Sequence, residues 1–501
     1  MSRRIATRGV LAKSLFAILV FAVLLGAIGS RVPKRLNDFD QSFYLTIAYD
    51  MQRHGVFSNG IFDDVDSTSS RPQPGMFFVP VYPALILLAM KLDRRFADAV
   101  ECAVLANHKK IDGSVCDIYA RPINILHAAL LTVGVLVIAA TASLIIGAPA
   151  AFFVAGLLSM VGLVFEAELF SYIMTESISF GLFSLFGFLL MIAIRDFRAL
   201  NWAAVGFTLG ILCLCKPSFM ALAPVTAIIL CVRWWFHCPR SRSALLRNAT
   251  VCALGFALVI GPWIARNGLI VGKWGLTEEY GAAALVERFS YNDMTVREAA
   301  FAFPYCLPVI GAPLVNVVAD PQDMARFEWD SPGGFFEAGR ARRNTLLATH
   351  TKLDPVFGGI LRDELRANGI RHLLVSIPLA WCGAWVSGAW SLFMIPLFVV
   401  ACFVALRRRK PLLLYYAAPA VVMIALHAAV ANHYSRYNLG FIGPLAVGAA
   451  ALLFARRDAP ASPNKAKGVI YVPHARKEKS TRLDRGQLVS APTSLVKRIT
   501  S

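Results

Sequence analysis

The 501-residue chain is 57% apolar and only 16% charged, whereas ordinary soluble domains carry roughly 25% charged residues. That balance indicates an integral membrane protein and excludes a soluble enzyme, a secreted disulfide scaffold and a disordered chain. The formal charge of +19 points to membrane orientation rather than nucleic-acid binding, because Lys and Arg collect in cytoplasmic loops. Much of the surplus lies after the last apolar run: residues 456–501 hold 11 Lys+Arg against 3 Asp+Glu, which reads as a solvated, disordered cytoplasmic tail facing anionic lipid.

The chain opens with a basic stretch, Met1 to Arg8, then an apolar run from Ser14 to Ser30. Because further spans follow, it reads as an uncleaved first helix with its basic end inside. The next apolar stretch, Met76 to Met90, is short and contains Pro80 and Pro83, both unfavourable for a span. If it crossed, the later basic loops at Arg195 to Arg198, Arg233 to Arg247 and Arg407 to Lys410 would fall outside. It is therefore placed as a helix on the outer surface. Further spans are predicted over 122–146, 148–165, 173–194, 199–215, 217–235, 249–266, 385–406, 412–431 and 438–455. The expected fold is an all-α polytopic bundle of about ten transmembrane helices, with both termini cytoplasmic. Residues 1–455 form the membrane domain and 456–501 the tail. Two long outer loops follow, 31–120 and 268–372, with a second surface helix before Trp385; loops of this length are usually functional.

No zinc-type cysteine spacing occurs. Cys102 and Cys116 share the first outer loop, where a disulfide depends on an oxidising compartment.

Ionisable groups within or beside spans each suggest a functional role. Here they gather at one membrane edge: Asp38, Asp40, Glu166, Glu168, Glu176, Lys216, Arg266, His433 and Arg436. Carboxylates and cations together at a membrane surface suit group transfer from a lipid phosphate to a hydroxyl. A carboxylate takes the acceptor proton, while Arg or Lys, with or without a divalent metal, neutralises the departing phosphate. Asp38-Phe39-Asp40 is an Asp-x-Asp pair of the kind that holds a metal on a nucleotide sugar, but no alternating strand-helix domain or GxGxxG turn accompanies it.

Several motifs resemble those of the GT-C membrane glycosyltransferases, which include the aminoarabinose transferases and protein O-mannosyltransferases. Asp40-Gln-Ser-Phe-Tyr44-Leu-Thr-Ile47-Ala48, with Gly55-Val-Phe57 after it, is similar to that family's first loop. Pro80-Val-Tyr82-Pro83 resembles its Pro-x-Tyr-Pro surface helix, and Thr175-Glu176-Ser177 its acidic start of a span. Lys216-Pro217-Ser218, Pro262-Trp263-Ile-Ala-Arg266-Asn267 and Ser435-Arg436-Tyr437-Asn438 resemble its Arg-Pro-Ser, Pro-Trp-x-x-Arg-Asn and late Arg-Tyr. In two departures, Val79 stands where a basic residue or second proline often precedes Pro-x-Tyr-Pro, and Lys216 replaces the commoner Arg. Arg71 is the nearest substitute as the first loop's phosphate partner.

The resemblance implies a bacterial inner-membrane enzyme that moves a sugar from a polyprenyl-phosphate carrier, with inversion, to a hydroxyl on an envelope glycan, lipid or protein. Its active site would face the periplasm. Asp40, four residues before Tyr44, is the expected base or metal ligand, with Asp38 as fallback. Arg266 and Arg436 are the expected phosphate ligands, since a planar guanidinium pairs two phosphate oxygens, with Lys216 beside them. Tyr44, Tyr82, Glu176, His433 and Tyr437 are expected to line the site. The second outer loop, with Trp274, Glu278, Glu279 and Tyr280, is expected to shape the acceptor site. The alternative from another class is a transporter or flippase of lipid-linked substrates, but that would call for midplane charges and internal symmetry, and neither is apparent. A catalytically silent membrane scaffold would need none of the acids at the outer edge.

Overall fold

A computed structural model of the chain describes residues 2–31, 36, 40–60, 71–108, 116–237, 241–319, 325–328, 331–350, 352–431 and 434–455, with side chains considered from residue 9 onward. Asp38, His433 and the tail 456–501 lie outside the described residues. All regular structure among the described residues is helical. Eight helices are long and apolar enough to cross a membrane: Gly9–Gly29, Arg121–Ile146, Glu176–Asp196, Pro217–Phe236, Arg242–Val271, Ala389–Arg407, Leu412–Val430 and Ser435–Phe454. The chain is therefore a polytopic helical membrane protein.

The first helix, α1 (Ser2–Gly29), leads into a compact group of α2 (Gln41–Arg53), α3 (Val81–Leu92) and α4 (Arg94–His108). These bury Leu45, Ala48, Tyr82, Ile86, Phe96 and Val100 in a cluster of their own. The surface helix expected from Met76 begins only at Val81, because Pro80 fixes its own φ and offers no N–H to an earlier turn. Its 12 residues reach about 18 Å, too short to cross the hydrocarbon core. A disulfide joins Cys102 to Cys116.

The chain continues through α5 (Arg121–Ile146), α6 (Ala150–Phe165), α7 (Ala167–Ser171), α8 (Glu176–Asp196), α9 (Ala199–Cys215), α10 (Leu222–His237) and α11 (Arg242–Arg266). α5 packs on α6 and α8, while α9 packs between α8 and α11. Contact between α9 and α11 requires glycine. A Cβ on Gly206 would stand 1.9 Å from the Cys252 carbonyl oxygen, and one on Gly255 would stand 2.5 Å from that of Ala203. Gly206 and Gly210 form a GxxxG pair, whose small residues let helix backbones approach closely in a membrane.

The second long segment, expected as a loop over 268–372, is instead largely helical: α12 (Tyr280–Phe289), α13 (Val296–Tyr305), α14 (Gly311–Val315), α15 (Phe335–His350) and the 31-residue α16 (Asp354–Ala384). The helix expected just before Trp385 is the last part of α16. Its polar first half, with Arg362, Asp363, Arg366 and Arg371, hides it from a search for apolar runs. The α16 N-terminus is capped from α12's flank, where the Glu279 carboxylate accepts from the backbone N–H of Leu353 and Asp354 at 2.5 and 3.0 Å. A second disulfide, Cys306–Cys382, ties α16 to the residue after α13; the 76-residue separation of these cysteines leaves no local sequence signal for it.

The span expected from Trp385 starts at Ala389, because Ser387 and Gly388 have φ of 65° and 52°, outside the right-handed helical region. It forms α17 (Ala389–Arg407), followed by α18 (Leu412–Val430), a 3₁₀ turn over Ser435–Phe441 and α19 (Ile442–Ala455).

The close helix contact gives a direct test. Gly206→Ala should destabilise the protein by about 1–3 kcal/mol, the usual range for overpacking, because its methyl meets backbone that cannot rotate away. Gly26→Ala in α1, with nothing within 4 Å, should not lower stability. Thermal unfolding of both variants in detergent measures the difference.

Candidate functional site

Four charged residues from distant parts of the sequence meet at one end of the bundle, each released there by a local break in helix. Asp40 is the N-cap residue of α2, yet its side chain makes no capping hydrogen bond. Its carboxylate faces Arg436 instead, with Oδ2 3.6 Å from Nη2. Glu176 occupies the first turn of α8, where the helix dipole favours a carboxylate. Lys216 precedes Pro217, a position that disfavours helix; its φ of −151° and ψ of 116° end α9 and turn its side chain toward Glu176, with Nζ 3.8 Å from Oε1. Arg436 stands in the 3₁₀ turn before α19, interrupted at Asn438 by non-helical backbone.

Tyr437 links the two pairs. Arg436 Nη2 donates to its hydroxyl at 3.1 Å. Lys216 Nζ lies 4.4 Å, and the Arg436 guanidinium 5.0 Å, from its ring centroid, both within cation–π range. Neither acid–cation pair closes to the 2.7–2.9 Å typical of charge-assisted hydrogen bonds. Glu176 Oε2 is buried with no hydrogen-bond partner. The four groups are thus held near one another while keeping donor and acceptor capacity.

About half of the Asp40 side chain, 51%, is exposed at the mouth of the site, whereas Glu176 is 6% exposed and Lys216 12%. Even so, the protein packed around Asp40 holds its carboxyl above the usual carboxylate range by desolvation, against the opposing pull of Arg436 and with a smaller upward push from Glu176.

Two small chambers flank Tyr437. One is lined by Asp40, Tyr44, Glu176, Lys216, Tyr280 and Tyr437, with Phe77 and Phe78. The other extends from Lys216 and Arg436 among Phe180, Phe183, Phe219, Met423 and Phe441. Each has a volume of only about 20 Å³, room for roughly one water. Tyr44 stacks edge-on against Phe78 and Tyr82, at 5.1 and 5.2 Å. Tyr82 lies behind this wall. Its hydroxyl meets His127 Nε2 at 2.9 Å, and His127 Nδ1 meets the Phe170 carbonyl at the same distance. Because that carbonyl can only accept, Nδ1 carries the proton and Nε2 accepts from Tyr82.

The structure brings together Asp40, Tyr44, Glu176, Lys216, Arg436 and Tyr437, and places Tyr82 one layer behind. Two expected phosphate ligands are elsewhere. Arg71 is exposed and lines neither chamber. Arg266 donates to the carbonyls of Gly75 and Phe57 at 2.5 and 3.1 Å and to Asn267 Oδ1 at 2.9 Å. Its guanidinium also lies against Phe57 and Trp263. It clamps the first long segment to α11 and lines neither chamber. Asp38 and His433 fall outside the described residues.

Sequence reasoning missed His427, Asn438, Phe77 and Phe78. His427 is 3% exposed; its Nδ1 donates to Asn438 Oδ1 at 2.8 Å while Nε2 is buried without a partner. The single histidine inside the apolar run 412–430, which holds no Asp, Glu, Lys or Arg, was the available signal. The last carbonyls of α18 are also held in place: Arg288 Nε donates to Ala428 O at 2.7 Å and His372 Nε2 to Ala429 O at 2.8 Å. These contacts fix the helix end from which the chain proceeds to Arg436.

Among the described residues, no group of acids able to hold a divalent metal includes Asp40. Such ions take several oxygen ligands, and among the described residues the nearest charged partner of Asp40 is a guanidinium. The acids that do converge, Glu278, Glu279 and Asp354, are already engaged: Glu278 pairs with Lys273 and Lys352, and Glu279 caps α16.

Compared with known proteins, the chain matches no protein-family model and no curated sequence.

The position of Arg266 predicts a structural role. Arg266→Ala should lower stability by about 2–3 kcal/mol through loss of charged hydrogen bonds. Arg266→Lys should recover little of it, because one ammonium cannot reproduce a planar fork bridging two carbonyls. Thermal unfolding checks both; wild-type stability in the alanine variant would refute the clamp.

Proposed function

We propose that the chain is a membrane glycosyltransferase that transfers a sugar from a polyprenyl-phosphate carrier to a hydroxyl acceptor on the non-cytoplasmic face. The observation that carries this reading is the convergence of Asp40, Glu176, Lys216 and Arg436 around Tyr437. Asp40 takes the proton of the acceptor hydroxyl. The hydroxyl oxygen forms a bond to the anomeric carbon while the bond from that carbon to the phosphate oxygen breaks, inverting the centre. The leaving lipid phosphate keeps the bonding electron pair, and Arg436 and Lys216 neutralise its charge. Glu176 holds Lys216 in place. The aromatic chamber below Arg436 offers an apolar path for the first part of the carrier chain.

In this reading the chain crosses the membrane ten times, with both termini inside. Gln41 Oε1 accepts from the backbone N–H of Ile173 at 2.8 Å, so the start of α8 lies at the same end as α2. On this reading the shorter apolar helices α6 and α9 cross as well, in addition to the eight longer ones. The basic turns near Arg195, Arg242 and Arg407 then share the opposite, cytoplasmic side. Both disulfides belong to the two long segments on the non-cytoplasmic side, consistent with an oxidising compartment such as the bacterial periplasm. An envelope glycan, lipid or protein is the acceptor class in this reading.

Labelled polyprenyl-phosphate sugar added to membranes provides the test. Asp40→Asn should cut transfer by about 10²–10⁴, the usual contribution of a general base, with thermal stability unchanged. Unaltered transfer would defeat the assignment, and movement of lipid without transfer would favour a flippase. The pH profile adds a signed prediction. Because Asp40 is held above the usual carboxylate range, the acid limb of activity should lie above about pH 4. Arg436→Gln removes an attraction that lowers the Asp40 pKa, so the limb should move further up.

A further inference from the structure

A separate cavity of about 610 Å³ opens where α2, α3 and α4 meet, within the size range of small-molecule sites. Five charged side chains line it: Arg53 from α2, Lys91 from α3, and Arg94, Asp98 and Glu101 from α4. On α4 the spacing of Arg94, Asp98 and Glu101 puts all three on one face. All five are exposed, and none forms an ion pair within 4 Å with another described residue. Charges of both signs converge on the cavity floor, where burial raises the pKa of the Tyr49 hydroxyl, with Glu101 adding to the shift and Arg53 opposing it. A surface whose charges served only one another would have closed these pairs.

The adjoining face of α3 is apolar. Leu88 and Leu92 are 52% and 79% exposed, and Leu88 lies one turn before Lys91 on the same face. A short helix with exposed leucines next to a terminal lysine is suited to the boundary between lipid tails and headgroups.

We infer that the α2–α3–α4 cavity binds a phospholipid headgroup carrying both a phosphate and a primary ammonium. The phosphate sits among Arg53, Lys91 and Arg94, the ammonium donates to Asp98 and Glu101, and the acyl chains follow Leu88 and Leu92. Mixed charge selects the ligand. A headgroup with phosphate alone leaves both acids without a cation, and a quaternary ammonium has no N–H to donate to them. The site is independent of the proposed sugar transfer, since none of its residues lines the chambers at Tyr437.

The full chain is reconstituted into nanodiscs holding equal fractions of phosphatidylethanolamine, phosphatidylglycerol and phosphatidylcholine, and the lipid retained after extraction is counted by native mass spectrometry. Phosphatidylethanolamine should be retained over the other two. Replacing Arg53, Lys91 and Arg94 together by Gln should lower its retention about tenfold, from the small contribution of each exposed charge. The Asp98→Asn, Glu101→Gln pair should abolish the preference over phosphatidylglycerol while leaving total retention. Equal retention of all three lipids by the wild type, or unchanged retention in the triple variant, would overturn the site. Displacement of the lipid by soluble phosphoethanolamine at equal concentration would overturn the lipid assignment in favour of a free headgroup compound. Asp40→Asn should retain lipid like the wild type, so failure of the transfer reading and failure of this one are read separately.

Discussion

Bringing charges to the edge of a bilayer is costly unless each finds a partner, and this constraint organises the end of the bundle where the long segments pack. Glu176 and Lys216 are nearly buried, so neither could stand there alone. Their mutual distance of 3.8 Å compensates charge without the shorter contact that would use up their hydrogen-bonding capacity. Asp40 and Arg436 repeat the arrangement at 3.6 Å, nearer the mouth. Tyr437 lets the two pairs share one neighbourhood, because its ring accepts the cations from the face and its hydroxyl accepts from Arg436. A phosphate entering between Lys216 and Arg436 would meet two positive groups already desolvated by the protein, which is the condition for strong electrostatic stabilisation.

Much of this was legible in the sequence because the signals are local. The apolar runs marked the helices, Lys216-Pro217 marked a forced break beside a cation, and Asp40 stood ahead of Tyr44 with the spacing that puts both on one face. Arg436-Tyr437 was legible as a pair, since adjacent residues in a tight turn remain close whatever the tertiary fold. What was not legible depends on partners far apart in the chain. Arg266 looked like a free cation at the end of a span, and only the fold reveals the carbonyls of Phe57 and Gly75 that occupy it. Nothing local distinguishes a guanidinium that binds backbone from one that binds substrate. The helices of the second segment escaped for a related reason: α15 and α16 bury only part of their surface, and their charged residues interrupt the periodicity that would announce them. Phe77 and Phe78, in the extended run before α3, had no helical register from which to predict their direction.

The buried polar contacts around α18 account for how the charges keep their positions. Arg288 is fully buried, and the hydrogen bonds of its guanidinium go to neutral groups: Ala428 O, Asn292 Oδ1, His372 O and Ser376 Oγ. A cation fits the C-terminal end of a helix, where the dipole is negative, and here it replaces the intrahelical partners that the last carbonyls lack. His372 fills the next position. Asn438, just after Arg436, is held from the other side by His427 Nδ1 and by its own bond to Gly383 O at 2.9 Å. The turn carrying Arg436 is thereby tied to α16 and α18 at several points.

Each chamber holds about 20 Å³, so any ligand much larger than water, the proposed sugar phosphate included, can enter only if part of the lining moves. The charged side of the lining is secured by Arg288, His372, His427 and Asn438, and displacing it would leave buried polar groups unpaired, at about 1–3 kcal/mol for each. In the chamber at Asp40 the lining also includes Phe77, Phe78 and Tyr280, joined by edge-on and tilted ring contacts at 5.0 to 6.1 Å. Such contacts contribute about 0.5–1.5 kcal/mol each, and the rings can exchange them for contacts with an entering apolar chain. The difference favours an opening in which the aromatic side yields while the acids and cations stay where the bundle puts them. That is also the arrangement required of a site whose charges must be in position before the substrate arrives.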